Sequence, residues 1–443
     1  MTQSNAAFKP SLIAFLLAVM AAALNQSGVI AGVNLSIADP LVLICLLLLI
    51  IEQKVRIPPR ALLFFSVVLA TTTLTAVCLT PSRFGTIVDD SAIASDALKL
   101  ATSFLYLIVG YSAAAHGLAR TIVRWFAFGA TTVALVGIVT SVAGIHQFDQ
   151  ALYYGGIRYR GLMNDPNYFS VLACAAIAYF VRDKRVNRVS RTLCVLVLVC
   201  SILLSGSKTG FIALLLLTAV LLFEYIWIQR RSGFLATMLV LACIVVALFW
   251  NDIAAAVFRL SASHGAQLPQ LSRVAELFDD SLAATAQGGS NRDAVWSNAL
   301  SVMESSPLLG VGIGSYTAVT AQVFGQAALA HNTYLQLASE WGMPLAVLFF
   351  GWLIVQIVRG TVVGYRAQST DMLMLRDMLL VFAIGSFGLS LNNARMFWLF
   401  LGAMMLLLQQ QTLVARWDAG ETGGSVGRAG SRLSVAPPHK DTT

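Results

Sequence analysis

Residues 290–350 read SNRDAVWSNALSVMESSPLLGVGIGSYTAVTAQVFGQAALAHNTYLQLASEWGMPLAVLFF, the end of the chain's longest polar excursion and its return into an apolar run long enough to cross a bilayer. A hydrocarbon core about 30 Å thick takes roughly 20 apolar residues in a helix, and only a helix or a closed barrel satisfies its own backbone there. The same test applied outward from this stretch gives twelve spans, at 11–30, 37–51, 61–79, 97–115, 121–145, 168–181, 192–205, 209–228, 233–250, 332–358, 372–391 and 395–415. With 58% hydrophobic and 11% charged residues, the 443-residue chain cannot furnish the exterior of a water-soluble globule. An all-α integral membrane protein is expected.

The expected organisation is nine spans within 1–250, one large outer segment at 251–331, three further spans within 332–415, and a Gly-, Ser- and Pro-rich tail at 416–443 expected to be disordered. Lys9 followed by an apolar run ending in AVMAAALNQ also fits a signal peptide, whose removal would leave the downstream orientation unchanged. Lys and Arg stay on the cytoplasmic side of short loops. If the N-terminus is cytoplasmic, that side receives most of the 29 basic residues, Arg182 and Arg376 among them, and both termini share it. The exceptions are Arg83, Lys99, Arg158, Arg160, Lys208, Arg259, Arg273, Arg292 and Arg395. Basic residues placed against the rule mark where function is to be sought. The net charge of +8 is explained by this placement, and no nucleic-acid partner is expected.

Cys45, Cys78, Cys174, Cys194, Cys200 and Cys243 all fall in apolar runs, which argues against disulfides or a thiolate metal site. Arg158 and Arg160 precede a turn signalled by Asn164, Asp165 and Pro166, with Pro166 near the start of the next helix. The SGSKTG run at 205–210 has Ser207 where a phosphate-binding loop needs Gly, so Lys208 reads as a costly outer-loop lysine suited to pairing with an anion. Ser290 and Asp293 fit a capping box that starts a helix with Arg292 in its first turn, where N–H groups and a guanidinium together suit phosphate oxygens. Arg273 opens another amphipathic stretch and is three residues from Glu276, a possible partner on its own helix. Gly310, Gly312 and Gly314 lack the strand context of a dinucleotide fingerprint and read as a flexible turn after Pro307. The adjacent carboxylates Asp89–Asp90 and Asp279–Asp280 read as solvated loop charge.

His331, at a helix entrance before Asn332, is the sharpest single residue. Near a helix N-terminus and among cations its imidazole should be neutral, which suits a proton acceptor. No second His or Cys lies at ligand spacing, so no metal is expected there. Glu340, well inside the same expected span, and Arg395, after Asn392 and Asn393, are supporting candidates with structural pairing as the competing role.

In order along the chain, RGLMNDPN at 160–167, SGSKTG at 205–210, NRDAVW at 291–296, PLLGVGIGSY at 307–316, and AHNTY at 330–334 with EWG at 340–342 resemble the signature segments of the O-antigen ligase and polymerase superfamily. The resemblance implies a GT-C-like, inverting, metal-independent glycosyltransferase of the bacterial inner membrane, without cofactor and with its active site facing the periplasm. It implies a glycan donor on undecaprenyl diphosphate and, for a ligase, a sugar hydroxyl of lipid A–core as acceptor. Residue by residue, it implies a catalytic base at His331 and diphosphate binding by Arg160, Lys208, Arg273 and Arg292, with Arg158, Asn332, Glu340 and Arg395 in support. Lys208 stands where the family pattern leads one to expect arginine. An O-antigen polymerase or a protein O-oligosaccharyltransferase would use the same donor. A twelve-span secondary transporter matches the span count, but it would place its unusual charges at the bilayer midplane rather than at one face.

Overall fold

The computed structural model describes residues 11–30, 33–228 and 292–418. The expected span at 233–250, most of the expected outer segment with Arg259, Arg273, Asp279, Asp280 and Ser290, and the tail after Asp418 lie outside the described residues. The described chain is a bundle of helices: α1 (Leu12–Ala23), α2 (Ala38–Ile51), α3 (Pro59–Leu74), α4 (Thr80–Phe84), α5 (Asp90–Ala115), α6 (Ala119–Val142), α7 (Asp149–Leu152), α8 (Pro166–Arg182), α9 (Arg188–Ser205), α10 (Lys208–Ile228), α11 (Arg292–Ser305), α12 (Tyr316–Phe324), α13 (Thr333–Trp341), α14 (Met343–Arg366), α15 (Thr370–Gly385) and α16 (Arg395–Asp418). Two short antiparallel hairpins, Gly28–Ile30 with Val33–Leu35 and Tyr153–Tyr154 with Arg158–Tyr159, are the strands among the described residues.

Seven of these helical stretches are long and apolar enough to cross a membrane: Pro59–Phe84, Asp90–Ala115, Ala119–Val142, Arg188–Ser205, Lys208–Ile226, Met343–Arg366 and Arg395–Leu413. The first is α3 carried into α4 by a π turn at Thr75–Leu79, which takes it past the expected end at residue 79. At the centre lie α8 and α15, whose side chains are buried almost all round. A helix buried on every side belongs inside a bundle, where its neighbours cover it. The chain is therefore a multi-pass membrane protein.

Two expected spans end differently. The stretch 332–358 is two helices, because Gly342 (φ 81°, ψ 159°) breaks it between α13 and α14, with Pro344 in the first turn of α14. The stretch 372–391 stops at Gly385, and residues 386–394 form a turn. Thr333 holds that turn: its N–H donates to Ser386 O (2.8 Å), its Oγ1 donates to Leu389 O (2.7 Å) and accepts from Leu391 N (2.8 Å).

The GVGIG run is a turn, as expected, and it packs against the bundle. Gly310, Gly312 and Gly314 all have positive φ, and a Cβ at Gly312 would lie 2.4 Å from Ala76 N and Thr72 O. Backbone packs directly on backbone there, with Ile313 N donating to Thr72 O (3.2 Å) at the edge of the π turn and Gly312 N to Glu340 O (2.9 Å). Only glycine permits this approach at this φ.

Arg182 and Arg376 are not solvated loop cations. They and the carboxylates of Glu224 and Asp377 form a buried network joining α8, α10 and α15: Arg182 Nε–Asp377 Oδ2 2.7 Å, Arg376 Nε–Asp377 Oδ1 2.8 Å, Arg376 Nη1–Glu224 Oε1 2.6 Å, and Arg182 Nη2 on Glu224 Oε2. Charges that leave water need partners, and here two cations face two anions.

Candidate active site

The opposite ends of α8, α10 and α15 carry Asp165, Lys208 and the turn at 386–391. Each is shaped locally. Asp165 caps α8, its Oδ1 accepting from Asn167 N (2.7 Å) and Tyr168 N (3.0 Å), with Pro166 at the first helical position where no N–H is needed. The SGSKTG run is an elbow between helices: Gly206, left-handed at φ 56°, ends α9, and Ser207 Oγ accepts from Gly210 N (3.0 Å) to start α10. Lys208 is the first residue of α10 and is buried.

The turn at 386–391 joins these segments to the rest of the site. Arg292, the first residue of α11, donates through Nη2 to Gly388 O (3.2 Å). Gly388 also abuts Thr209, next to Lys208: a Cβ there would lie 2.6 Å from Thr209 Oγ1. Thr333, two residues after His331, clamps the same turn as described above. Segments around 208, 292 and 332, far apart in the chain, thus meet on one turn.

His331 stands at φ 48°, a left-handed conformation uncommon outside glycine, while Asn332 caps α13 by accepting from Tyr334 N (3.0 Å) and Leu335 N (3.2 Å). His331 is exposed to solvent. Burial first and the Arg292 guanidinium second push its pKa below the ordinary imidazole value, with Asp165 pulling the other way. Asp165 likewise opposes the lowering that burial imposes on Arg292. Asp165, a turn signal in the sequence, is in the structure also an electrostatic partner of Arg292 and His331. The clue was its place directly before a helix-starting proline, which fixes a carboxylate at that helix entrance.

The basic candidates divide by their partners. Arg292 Nε and Arg160 Nε are buried and have no hydrogen-bond partner among the described residues. Arg160 spends Nη2 on Gln150 O (2.9 Å), and no described bond joins it to Arg292 or His331. Arg158 instead braces the elbow, donating to Ser205 O (3.0 Å), Gly206 O (3.5 Å) and Asn167 Oδ1 (3.0 Å). Arg395 is a structural ion pair, its Nε and Nη2 on Asp39 at 2.5 and 2.7 Å, with Tyr106 OH donating to the same carboxylate (3.0 Å).

Glu340 lies near the end of the nine-residue α13, short of the membrane-crossing helices. Its Oε1 accepts from Gln336 Nε2 (2.8 Å), whose Oε1 accepts from Ser390 Oγ (3.0 Å). Burial, with Asp96 nearby, pushes its carboxyl up to about 8, so it is mostly protonated at neutral pH and packs as a neutral group. Asp89, in the other pair considered, is a helix cap for α5, accepting from Ala92 N (3.0 Å) and Ser91 Oγ (2.7 Å).

An imidazole of lowered pKa near the Arg292 guanidinium, whose Nε–H lacks a partner among the described residues, is chemistry for taking a proton next to a bound anion. No curated protein matches the chain. Residues 193–350, which run from α9 through the elbow, Arg292 and His331 into α14, are similar to the family described as O-antigen ligase.

Proposed function

We propose that the protein is an O-antigen ligase of a bacterial inner membrane, transferring a glycan from undecaprenyl diphosphate to a sugar hydroxyl of lipid A–core on the periplasmic side. The observation that carries this reading is the clustering at one turn: Arg292 on Gly388, Gly388 against Thr209 beside Lys208, and Thr333 two residues from an imidazole of lowered pKa.

In the proposed reaction the acceptor hydroxyl attacks the anomeric carbon from the face opposite the diphosphate. The new C–O bond forms as the bond to the phosphate oxygen breaks, and the configuration inverts. His331 takes the hydroxyl proton, a step typically contributing about 10²–10⁴-fold. Arg160, Lys208 and Arg292, with Arg273 from outside the described residues, neutralise the charge that grows on the departing diphosphate. Buried N–H groups without internal partners suit that task, because they need not be pulled from other bonds as the charge develops. Apolar helices around the site supply a medium for both lipid tails.

Replacing His331 by Ala is expected to lower transfer from purified lipid-linked donor by about 10²-fold or more, with the variant still inserted and monodisperse in detergent. Full transfer by that variant would refute the assignment. The acceptor is tested separately by deleting the gene and resolving the lipopolysaccharide on a gel. Uncapped core with accumulated lipid-linked polymer supports a ligase, whereas core carrying a single repeat points to a polymerase on the same donor.

A further inference from the structure

Trp296 lies four residues after Arg292 on α11, so the two side chains share a face and are neighbours one turn apart. Farther along the helix, Ala299 and Val302 enter a small apolar cluster with Val311, Tyr316, Val319 and Ala330. Trp296 does not join it, and no described ring packs against the indole. Its Nε1–H is nonetheless buried and, among the described residues, unpartnered, as is Arg292 Nε. A buried indole N–H ordinarily finds an acceptor. Two such donors on one helix face, one cationic and one on an aromatic plate, suit a ligand with an anionic part and a neutral oxygen-bearing part about one helical turn away.

Resting on the reading of this site as a lipid-diphosphate sugar transferase, we propose that Trp296 holds the sugar bonded to the diphosphate. The indole N–H donates to an oxygen of that ring, and the indole face covers its C–H surface. A helical turn rises about 5.4 Å, comparable to the reach from a phosphate to the sugar it carries. A sugar seated there has its anomeric carbon next to the guanidinium that receives the leaving group. An indole has no charge to offer a phosphate but combines the apolar plate and single donor that a sugar ring uses. In this role Trp296 reads the sugar, and Arg292 the diphosphate.

The test compares full-length wild type, Trp296→Phe, Trp296→Ala and Arg292→Ala for transfer from lipid-linked glycan, with sugar-free polyprenyl diphosphate as competitive inhibitor. Loss of the indole donor in Trp296→Phe is expected to raise the donor KM about tenfold, and Trp296→Ala further, while the inhibition constant of the sugar-free lipid stays within about twofold of wild type. Arg292→Ala is expected to weaken donor and inhibitor together. An unchanged inhibition constant also reports that the variants keep a folded diphosphate site. The proposal is overturned if Trp296→Phe and Trp296→Ala leave the donor KM unchanged, or if donor and inhibitor weaken equally. Wild type that neither transfers the glycan nor binds either lipid would overturn the transferase reading itself.

Discussion

His331 combines two properties that usually conflict, an accessible ring and a depressed proton affinity. The second follows from the protein around it and from Arg292, and it has a measurable consequence. A base works only when unprotonated, so kcat/KM should rise with pH through a midpoint below the ordinary imidazole value of about 6.5 and be flat at neutrality. A titration of transfer rate between pH 4.5 and 8.5 checks this, and a midpoint above 6.5 contradicts it. The sign for stability runs the same way: the depressed pKa favours the neutral folded form, a contribution present above the unfolded value and lost as the pH falls. Replacing Arg292 by a neutral residue should shift the midpoint upward, since one cause of the depression goes with it.

At the scale of elements, the site depends on where helices stop. Had α13 and α14 formed one helix, the loop at 306–315 would have had no gap to enter. Gly342 makes that gap at φ 81° and ψ 159°, a region essentially reserved for glycine, and a Cβ there would lie 2.3 Å from Leu308 O. Met343 N donates to Pro307 O (2.8 Å) across the same junction. Gly342→Ala is expected to cost about 3 kcal/mol or more, combining backbone strain with overpacking. Thermal unfolding in detergent measures it, and an unchanged midpoint would show that the break tolerates a side chain. The break was legible in part, because Gly342 and Pro344 are punctuation that an apolar count over 332–358 passes across. The π turn at Thr75–Leu79 was not, since it lies against a loop some 230 residues later in the chain.

At the scale of the whole molecule, α8, α10 and α15 are tied at one end by charge and present the candidate site at the other. The buried network of Arg182, Glu224, Arg376 and Asp377 is balanced as it stands. Asp377→Ala leaves two guanidinium groups short of a carboxylate and is expected to destabilise by about 3–5 kcal/mol, whereas exchanging Arg376 and Asp377 together for Met and Leu should recover much of that loss. Unfolding midpoints of the single and double variants check this, and a double variant no more stable than the single would show that the charges act otherwise than as a set.

Sequence alone determined the class of this protein, because the free energy of apolar side chains and backbone in a bilayer is read from composition and run length without knowledge of neighbours. It also offered candidates for chemistry, a histidine before an expected helix and basic residues placed against the charge rule for short loops. What it could not determine was which of those cations were already engaged. Arg395 with Asp39, and Arg376 with Glu224, are pairs between residues more than a hundred positions apart. The tertiary structure decided that Arg395 and Arg376 are held by carboxylates and Arg158 by backbone and Asn167 oxygens, while Arg160 and Arg292 have no ion pair among the described residues, since Coulomb and hydrogen-bond energies depend on distance in space.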